Sequence, residues 1–239
     1  MWDIIQDYWL LFLVGQYPRG PLGGLAMTLI MAVVGLALSF PLAIILALMK
    51  LSPFRLLRWP AMAVINVVRG LPLIMFIFWT YFAWPLVTGR AVGGVETLII
   101  ALVVYEASYL AEIIRAGIEA LPHGQAEAAR ALGLRYGPTT FRVILPQALH
   151  NMLPSMVSQF VSTIKETSLG YVISAPEATF AANQINNQLM TRPLEVYLLL
   201  ALTYFVLCFL LTTVARHLER RITRERSRAV AMPVAAPAT

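Results

Sequence analysis

The sequence predicts an all-α membrane protein with five transmembrane helices, and three observations predict it. Of its 239 residues, 59% are hydrophobic and only 13% charged, about half the charged share of a soluble domain. Apolar runs of the length that crosses a bilayer, about 20 residues, recur along the chain. The basic residues are dispersed between those runs instead of forming one patch. The net charge of +6 is therefore read as a topology signal, not as a nucleic-acid footprint.

The elements follow in order. Residues 1–21 open with "MWDIIQDYWLLFLVGQYPRG", which lacks a basic n-region and a small-residue cleavage site, so no cleavable signal peptide is expected. Trp2, Tyr8 and Trp9 suit a short interfacial helix. The transmembrane unit spans residues 22–217. Its first span is "GGLAMTLIMAVVGLALSFPLAIILALM" (23–49), its second 59–87 and its third, less apolar, 95–118. The fourth begins near Gln147 and reaches about Val172, and the fifth covers 195–215. The polar stretch 176–192 is a loop or short helix outside the bilayer. Residues 218–239 form a basic tail whose end, "AVAMPVAAPAT", is expected to be disordered.

Charge fixes the orientation. Lys50, Arg55 and Arg58 lie between spans one and two, Arg115, Arg130, Arg135 and Arg142 between three and four, and six arginines follow span five. The other side holds Arg19, Arg90 and Arg192. The positive-inside rule puts the first group and the C-terminus in the cytoplasm and the N-terminus outside. The single cysteine, Cys208, excludes a disulfide framework. His123, His150 and His217 lie far apart, and no metal site is expected.

The loop 122–146 is the main polar break. "GQAEAARAL" favours helix, Gly133 is placed to stop it in a left-handed conformation, and Pro138 starts a second short helix. Pro146 marks the start of the fourth span. Alanines 126, 128, 129 and 131 leave an unusually small exposed face. That face suits insertion into a partner's groove; a solvated amphipathic linker is the alternative.

Glu127-Ala128-Ala129, three residues, Gly133, nine residues, Val143, then Leu145-Pro146 resembles the EAA loop of ABC importer permeases, with Val143 where that pattern usually has Ile. "VVRGLPLIMFIFWTYFAWP" (67–85), "YLAEIIRAGIEALPHGQAEAARALGL" (109–134), "ILPQALHNMLPS" (144–155) and "KETSL" (165–169) resemble the polar amino acid uptake branch, nearest to glutamate/aspartate importer permeases. The resemblance covers roughly residues 23–216 and implies the type I ABC importer transmembrane fold in a bacterial inner membrane. It makes Glu127, Ala128, Ala129, Gly133, Leu145 and Pro146 the coupling element that docks on an ATPase subunit. The implied partners are a second permease subunit, alike or different, two ATPases and an extracytoplasmic binding protein. Independently, neither of the two lysines, Lys50 and Lys165, sits in a G-x-x-x-x-G-K-[ST] context. No cofactor is expected on this chain, which is not read as an enzyme, and ATP and Mg belong on the partner.

Ionisable residues inside spans are functional candidates. At 100° per residue, Asn151, Ser155, Ser158, Gln159, Ser162, Lys165 and Glu166 share an arc of roughly 120°. Met152, Met156, Val157, Phe160, Val161 and Ile164 lie opposite. The arc is read as a water-accessible path, against interhelical hydrogen-bond glue. Tyr105, Ser108, Tyr109 and Glu112 form a second semi-polar face, and Glu112 and Arg115 are spaced to pair. Arg69-Gly70-Leu71-Pro72 interrupts the second span, and Pro72 frees the Val68 carbonyl; a broken helix that builds a substrate site and a bare kink both fit.

An amino acid zwitterion needs an anion for its ammonium and a cation or amide donors for its carboxylate. Glu166 can serve the first and Arg69 or Lys165 the second, with Ser162, Gln159, Asn151 and Tyr109 beside them. Glu106, nearer the middle of its span, has no assigned role. Two other classes compete. A self-sufficient secondary transporter or channel predicts an inverted repeat, and none is evident. An intramembrane enzyme needs a nucleophile with a base or a metal cluster, also not evident.

Overall fold

The computed structural model describes the backbone of residues 1–231. Among these residues there is no strand, only two isolated β-bridges, Gly15 with Leu22 and Gly24 with Glu177. The helices are α1 (Trp2–Val14), α2 (Gly24–Leu51), α3 (Arg55–Gly70), α4 (Leu73–Thr88), α5 (Gly94–Glu119), α6 (His123–Ala131), a single turn α7 (Tyr136–Pro138), α8 (Leu145–Glu166), α9 (Ala178–Leu189) and α10 (Pro193–Ala231). A π-helical segment, Thr139–Ile144, joins α7 to α8, and a 3-10 segment, Thr167–Ile173, follows α8.

The centre of the bundle is the α2–α5 pair. On α2, Ala32, Gly35, Ser39, Ala43 and Ala47 are buried, a stripe of small side chains at helical spacing. Small residues let backbones approach where lipid supplies no hydrophobic drive. Opposite them, α5 buries Leu98, Ala101, Leu102, Leu110, Ala111 and Ile114. The α8 helix joins this core through Ala148 and Met152, and Gly117 is the site of its close approach. A Cβ at Gly117 would run into the Met152 thioether. Enclosure falls outward: α5 is the most buried of the long apolar helices and α10 the least, with Phe205, Val206, Phe209 and Leu210 all exposed.

Three helices, α2, α5 and α10 from Pro193 to His217, are long and apolar enough to cross a membrane on their own. The expected second span, 59–87, is not one rod. Its halves, α3 and α4, meet at 108°, and together they make a fourth candidate crossing or a re-entrant turn. The cause is local. Leu71 precedes proline and is driven to extended geometry, φ −104° and ψ 141°, and Pro72 caps α4 without an N–H to give. The Val68 carbonyl is not left free, as expected from Pro72, because the Leu71 N–H donates to it at 3.3 Å.

The α8 helix spans 22 residues and is long enough to cross, but it carries the polar arc. Its α-helical part stops at Glu166, short of the expected Val172, and tightens into the 3-10 segment. The polar stretch after it forms the expected short helix, α9. Glu177 caps α9, accepting from the Thr179 N–H at 2.7 Å and the Phe180 N–H at 2.9 Å. The short N-terminal helix α1 leaves Trp2 and Trp9 exposed. Its amine pairs with Glu195, and Asp3 lies 3.7 Å from Arg192. At its other end α10 continues as helix past residue 217 to Ala231. Of the end expected to be disordered, 229–239, residues 229–231 are helical and 232–239 lie outside the described residues.

Candidate functional site

Two polar constructions stand out, one inside the bundle and one at the end that carries α6. At the α6 end, Pro122 caps α6, and the helix stops where Gly133 takes φ +82°. Only glycine adopts that conformation without strain. The Gly133 N–H donates to the Arg130 carbonyl and the Leu134 N–H to the Ala129 carbonyl, so the helix end is closed by backbone alone. Glu127 and Ala128 lie on α6, and Ala129 is its buried residue. Leu132 is 84% exposed, a large apolar side chain on the projecting corner. Leu145 is buried in the core and Pro146 occupies the first turn of α8. The loop is therefore anchored by Ala129 and Leu145 and presents the surface between them.

Just above the loop, Glu112 on α5 receives Lys50 Nζ at 2.7 Å and Arg115 at 2.6 Å. Arg115 also reaches Glu119. The Glu112–Arg115 pair expected from spacing is present, and Lys50, sixty-two residues away in sequence, completes it. This triad locks α2 to α5.

Arg69, an exposed residue, lies in the last turn of α3 at the 108° corner. Its guanidinium lies 5.1 Å from the centre of the Tyr109 ring, a cation–π contact. The Tyr109 hydroxyl is 3.2 Å from that of Tyr105. On α8, Gln159 turns toward α5 and donates Nε2 to Glu106 at 2.9 Å. Glu166, the last residue of α8, is half-buried. One oxygen of each, Glu106 Oε1 and Glu166 Oε2, is buried with no partner. Ser162 and Asn151 are half-buried, whereas Lys165, Ser155 and Ser158 are exposed. The opposite side of α8 buries Met152, Val161 and Ile164.

The predicted polar residues thus divide. Gln159 meets α5 at Glu106, and Arg69 meets Tyr109, three residues further along the same helix. Lys165, though adjacent to Glu166, points out of the bundle. Sequence reasoning left Glu106 without a role. A carboxylate at the middle of a span is signal enough that a partner must exist, but the partner is fifty-three residues distant. Glu177 was missed too: it is fully buried, ties α9 to Tyr204 of α10 at 3.3 Å, and burial pushes its carboxyl up to about 7. Among the described residues no group of three His, Cys, Asp or Glu could hold a metal ion.

The chain belongs to the family of binding-protein-dependent transport system inner membrane components, whose model matches residues 39–224. It is 38% identical over 216 residues to a probable glutamine ABC transporter permease protein of Bacillus subtilis, covering 88% of this chain and 99% of that protein. It is 34% identical to an L-cystine transport system permease protein of the same organism, covering 93% and 92%. A glutamate/aspartate import permease protein of Escherichia coli is 33% identical, covering 84% and 92%. Among solved structures, an amino acid ABC transporter crystallised with histidines superposes with a TM-score of 0.76 at 33% identity, covering 83% of this chain and 92% of that one. The protein is a multi-pass inner-membrane permease with the type I importer fold. It is not an enzyme, and ATP hydrolysis belongs to a separate subunit.

Proposed function

We propose that this permease carries a polar amino acid, delivered by an extracytoplasmic binding protein, and that Glu166 receives its ammonium group. One observation carries the site: a buried, unpartnered carboxylate oxygen on Glu166, on the arc that also holds Gln159, Ser162 and Asn151. Arg69, held over Tyr109, and Lys165 are the cations available to the substrate carboxylate. Two cations favour an acidic side chain, glutamate or aspartate. The relatives named for glutamine, cystine and glutamate/aspartate transport support the amino acid class.

The working unit would contain a second permease subunit, two ATPases holding ATP and Mg, and the binding protein. Glu127 to Gly133, with Leu145 and Pro146, would form the ATPase contact. The N-terminus would face outside and the C-terminus the cytoplasm. The internal geometry is consistent with this, because Lys50, Arg115, α6 and the start of α8 share one end of the bundle.

Glu166→Gln tests the assignment, since it keeps shape but removes charge. A charge-assisted hydrogen bond contributes roughly 1.5–3 kcal/mol, so the affinity for transported amino acid should weaken about 10- to 150-fold with ATPase assembly intact. Full rescue by adding Lys165→Met would mean that Glu166 only balances Lys165, and would end the assignment.

A further inference from the structure

Behind α6 lies a cavity of about 380 Å³, within the size range of small-molecule sites. One wall is apolar, made by Leu48 and Leu51 in the last turn of α2 and Ile118 in the last turn of α5. The other wall comes from the loop: His123, Ala126 and Arg130 of α6, and Tyr136 beyond the Gly133 corner. At 100° per residue the three α6 positions share a sector of about 60°. Gln125 and Ala128, both exposed, lie on the opposite side, so a ligand in the cavity leaves the outer face of the helix clear.

The cavity sits at the membrane surface. The α2 and α5 helices hold 28 and 26 residues, about 42 and 39 Å of helix against a hydrocarbon core of about 30 Å. Their last turns therefore reach the level of the lipid headgroups. Phe54 and Trp59, which follow α2, are each 68% exposed, as belt aromatics are at that level.

Charge selects the occupant. Among the described residues Arg130 has no ion pair. The acid on the cavity rim, Glu119, is bonded to Arg115, and the nearby Lys50 is bonded to Glu112. What remains is one uncommitted guanidinium with the His123 imidazole and the Tyr136 hydroxyl, set across from an apolar wall. A guanidinium pairs well with phosphate oxygens. A soluble phosphate would leave the apolar wall wet, whereas an amphiphile with a phosphate head covers both walls.

We infer that this cavity is a site for an anionic phospholipid, with its phosphate on Arg130 and the head of its acyl chains against Leu48, Leu51 and Ile118. Seated there, the lipid braces α6 against the ends of α2 and α5. Only this bracing step rests on the reading of α6 as the ATPase contact.

Native mass spectrometry of the permease–ATPase complex tests the site. The complex is exchanged into micelles of phosphatidylglycerol and phosphatidylcholine with the same acyl chains, and the lipid retained is counted. Phosphatidylglycerol should be kept in preference. Arg130→Gln should weaken its retention about fivefold, the loss expected for one basic residue near a membrane surface. Ala126→Phe, which fills the cavity and keeps the charge, should weaken it at least as much, and serves if Arg130→Gln fails to assemble. Equal retention of the two lipids, or phosphatidylglycerol retention untouched by both variants, overturns the site. Displacement of the lipid by millimolar inorganic phosphate would identify a soluble ligand and also overturn it. In nanodiscs, ATP hydrolysis should rise as phosphatidylglycerol replaces phosphatidylcholine, and Ala126→Phe should lose that dependence. Hydrolysis indifferent to the lipid, with retention as stated, overturns the bracing step, whereas an ATPase that stays bound in Gly133→Val overturns the reading of α6, so the failures are distinct.

Discussion

Replacing Glu112 by glutamine removes the anion shared by Lys50 and Arg115 while leaving the shape of α5 unchanged. The three side chains are 22%, 17% and 26% exposed, so water restores part of what is lost but not all. Lys50 Nζ sits 2.7 Å from one oxygen, and Arg115 Nε 2.8 Å from the other. Each bond to a charged group contributes roughly 1.5–3 kcal/mol. The amide oxygen still accepts one of them, and Arg115 keeps Glu119. Stripping a mostly enclosed pair of its partner costs about 3–5 kcal/mol at full burial; with a fifth to a quarter of each side chain in solvent, about 2–4 kcal/mol is expected. For a chain of this size that lowers the melting midpoint by roughly 5–15 °C. Thermal unfolding of the purified permease–ATPase complex in detergent measures it. Adding Lys50→Met to Glu112→Gln should recover at least half of the loss, because the orphaned ammonium is gone. Substrate affinity should stay unchanged throughout. A shift under about 0.5 kcal/mol, or an altered affinity at normal stability, would refute the structural role and place Glu112 on the path.

Three further outcomes are expected. Gly133→Val forces a β-branched side chain into φ +82°; it should cost about 1–3 kcal/mol at the corner and abolish ATPase binding in co-purification, with membrane insertion normal. In a Cys208→Ala background with the permease expressed alone, cysteines at positions 89 and 187 should label from outside and those at exposed positions 54 and 132 only from inside; external labelling at 132 would invert the topology. Glu177 titrates near 7 in the fold against about 4.3 unfolded, so its neutral form is the favoured one. Its contribution is full at acid pH and is lost as pH rises from about 4 through 7, by on the order of 3 kcal/mol. Melting midpoints should therefore fall across that window, and the slope should vanish in Glu177→Ala, which also loses about 1 kcal/mol of capping.

What was legible in the sequence was what depends on neighbours along the chain. Apolar length located α2, α5 and α10. Gly133 and Pro138 located the loop corner, and i,i+3 spacing located Glu112 with Arg115. Contacts across the bundle were not legible. Lys50 with Glu112 and Gln159 with Glu106 depend on how α2 and α8 are rotated against α5, which small residues such as Gly35 and Gly117 decide by how close they let the helices come. The corner at Leu71-Pro72 was foreseen as a break but not as 108°, because local geometry ends a helix while packing sets the direction of the next. Lys165 was grouped with Glu166 by its place in the helix wheel, yet a helix wheel does not say which side of the arc meets a neighbour.

From Tyr136 to Glu166 the chain is one uninterrupted helical shaft. It starts three residues after the Gly133 corner and ends at the carboxyl assigned to the substrate. Such a shaft behaves as a torsion bar, delivering a twist or push at its foot to its tip some tens of ångströms away. Besides Pro154 inside α8, which interrupts the backbone ladder, it has a compliant section in the π turn, where the Leu145 N–H reaches back five residues to Thr140 and the coil holds a residue more than an α turn needs. Winding that residue out would swing Glu166 around the shaft relative to α6, a gear change built into the backbone between the loop and the site.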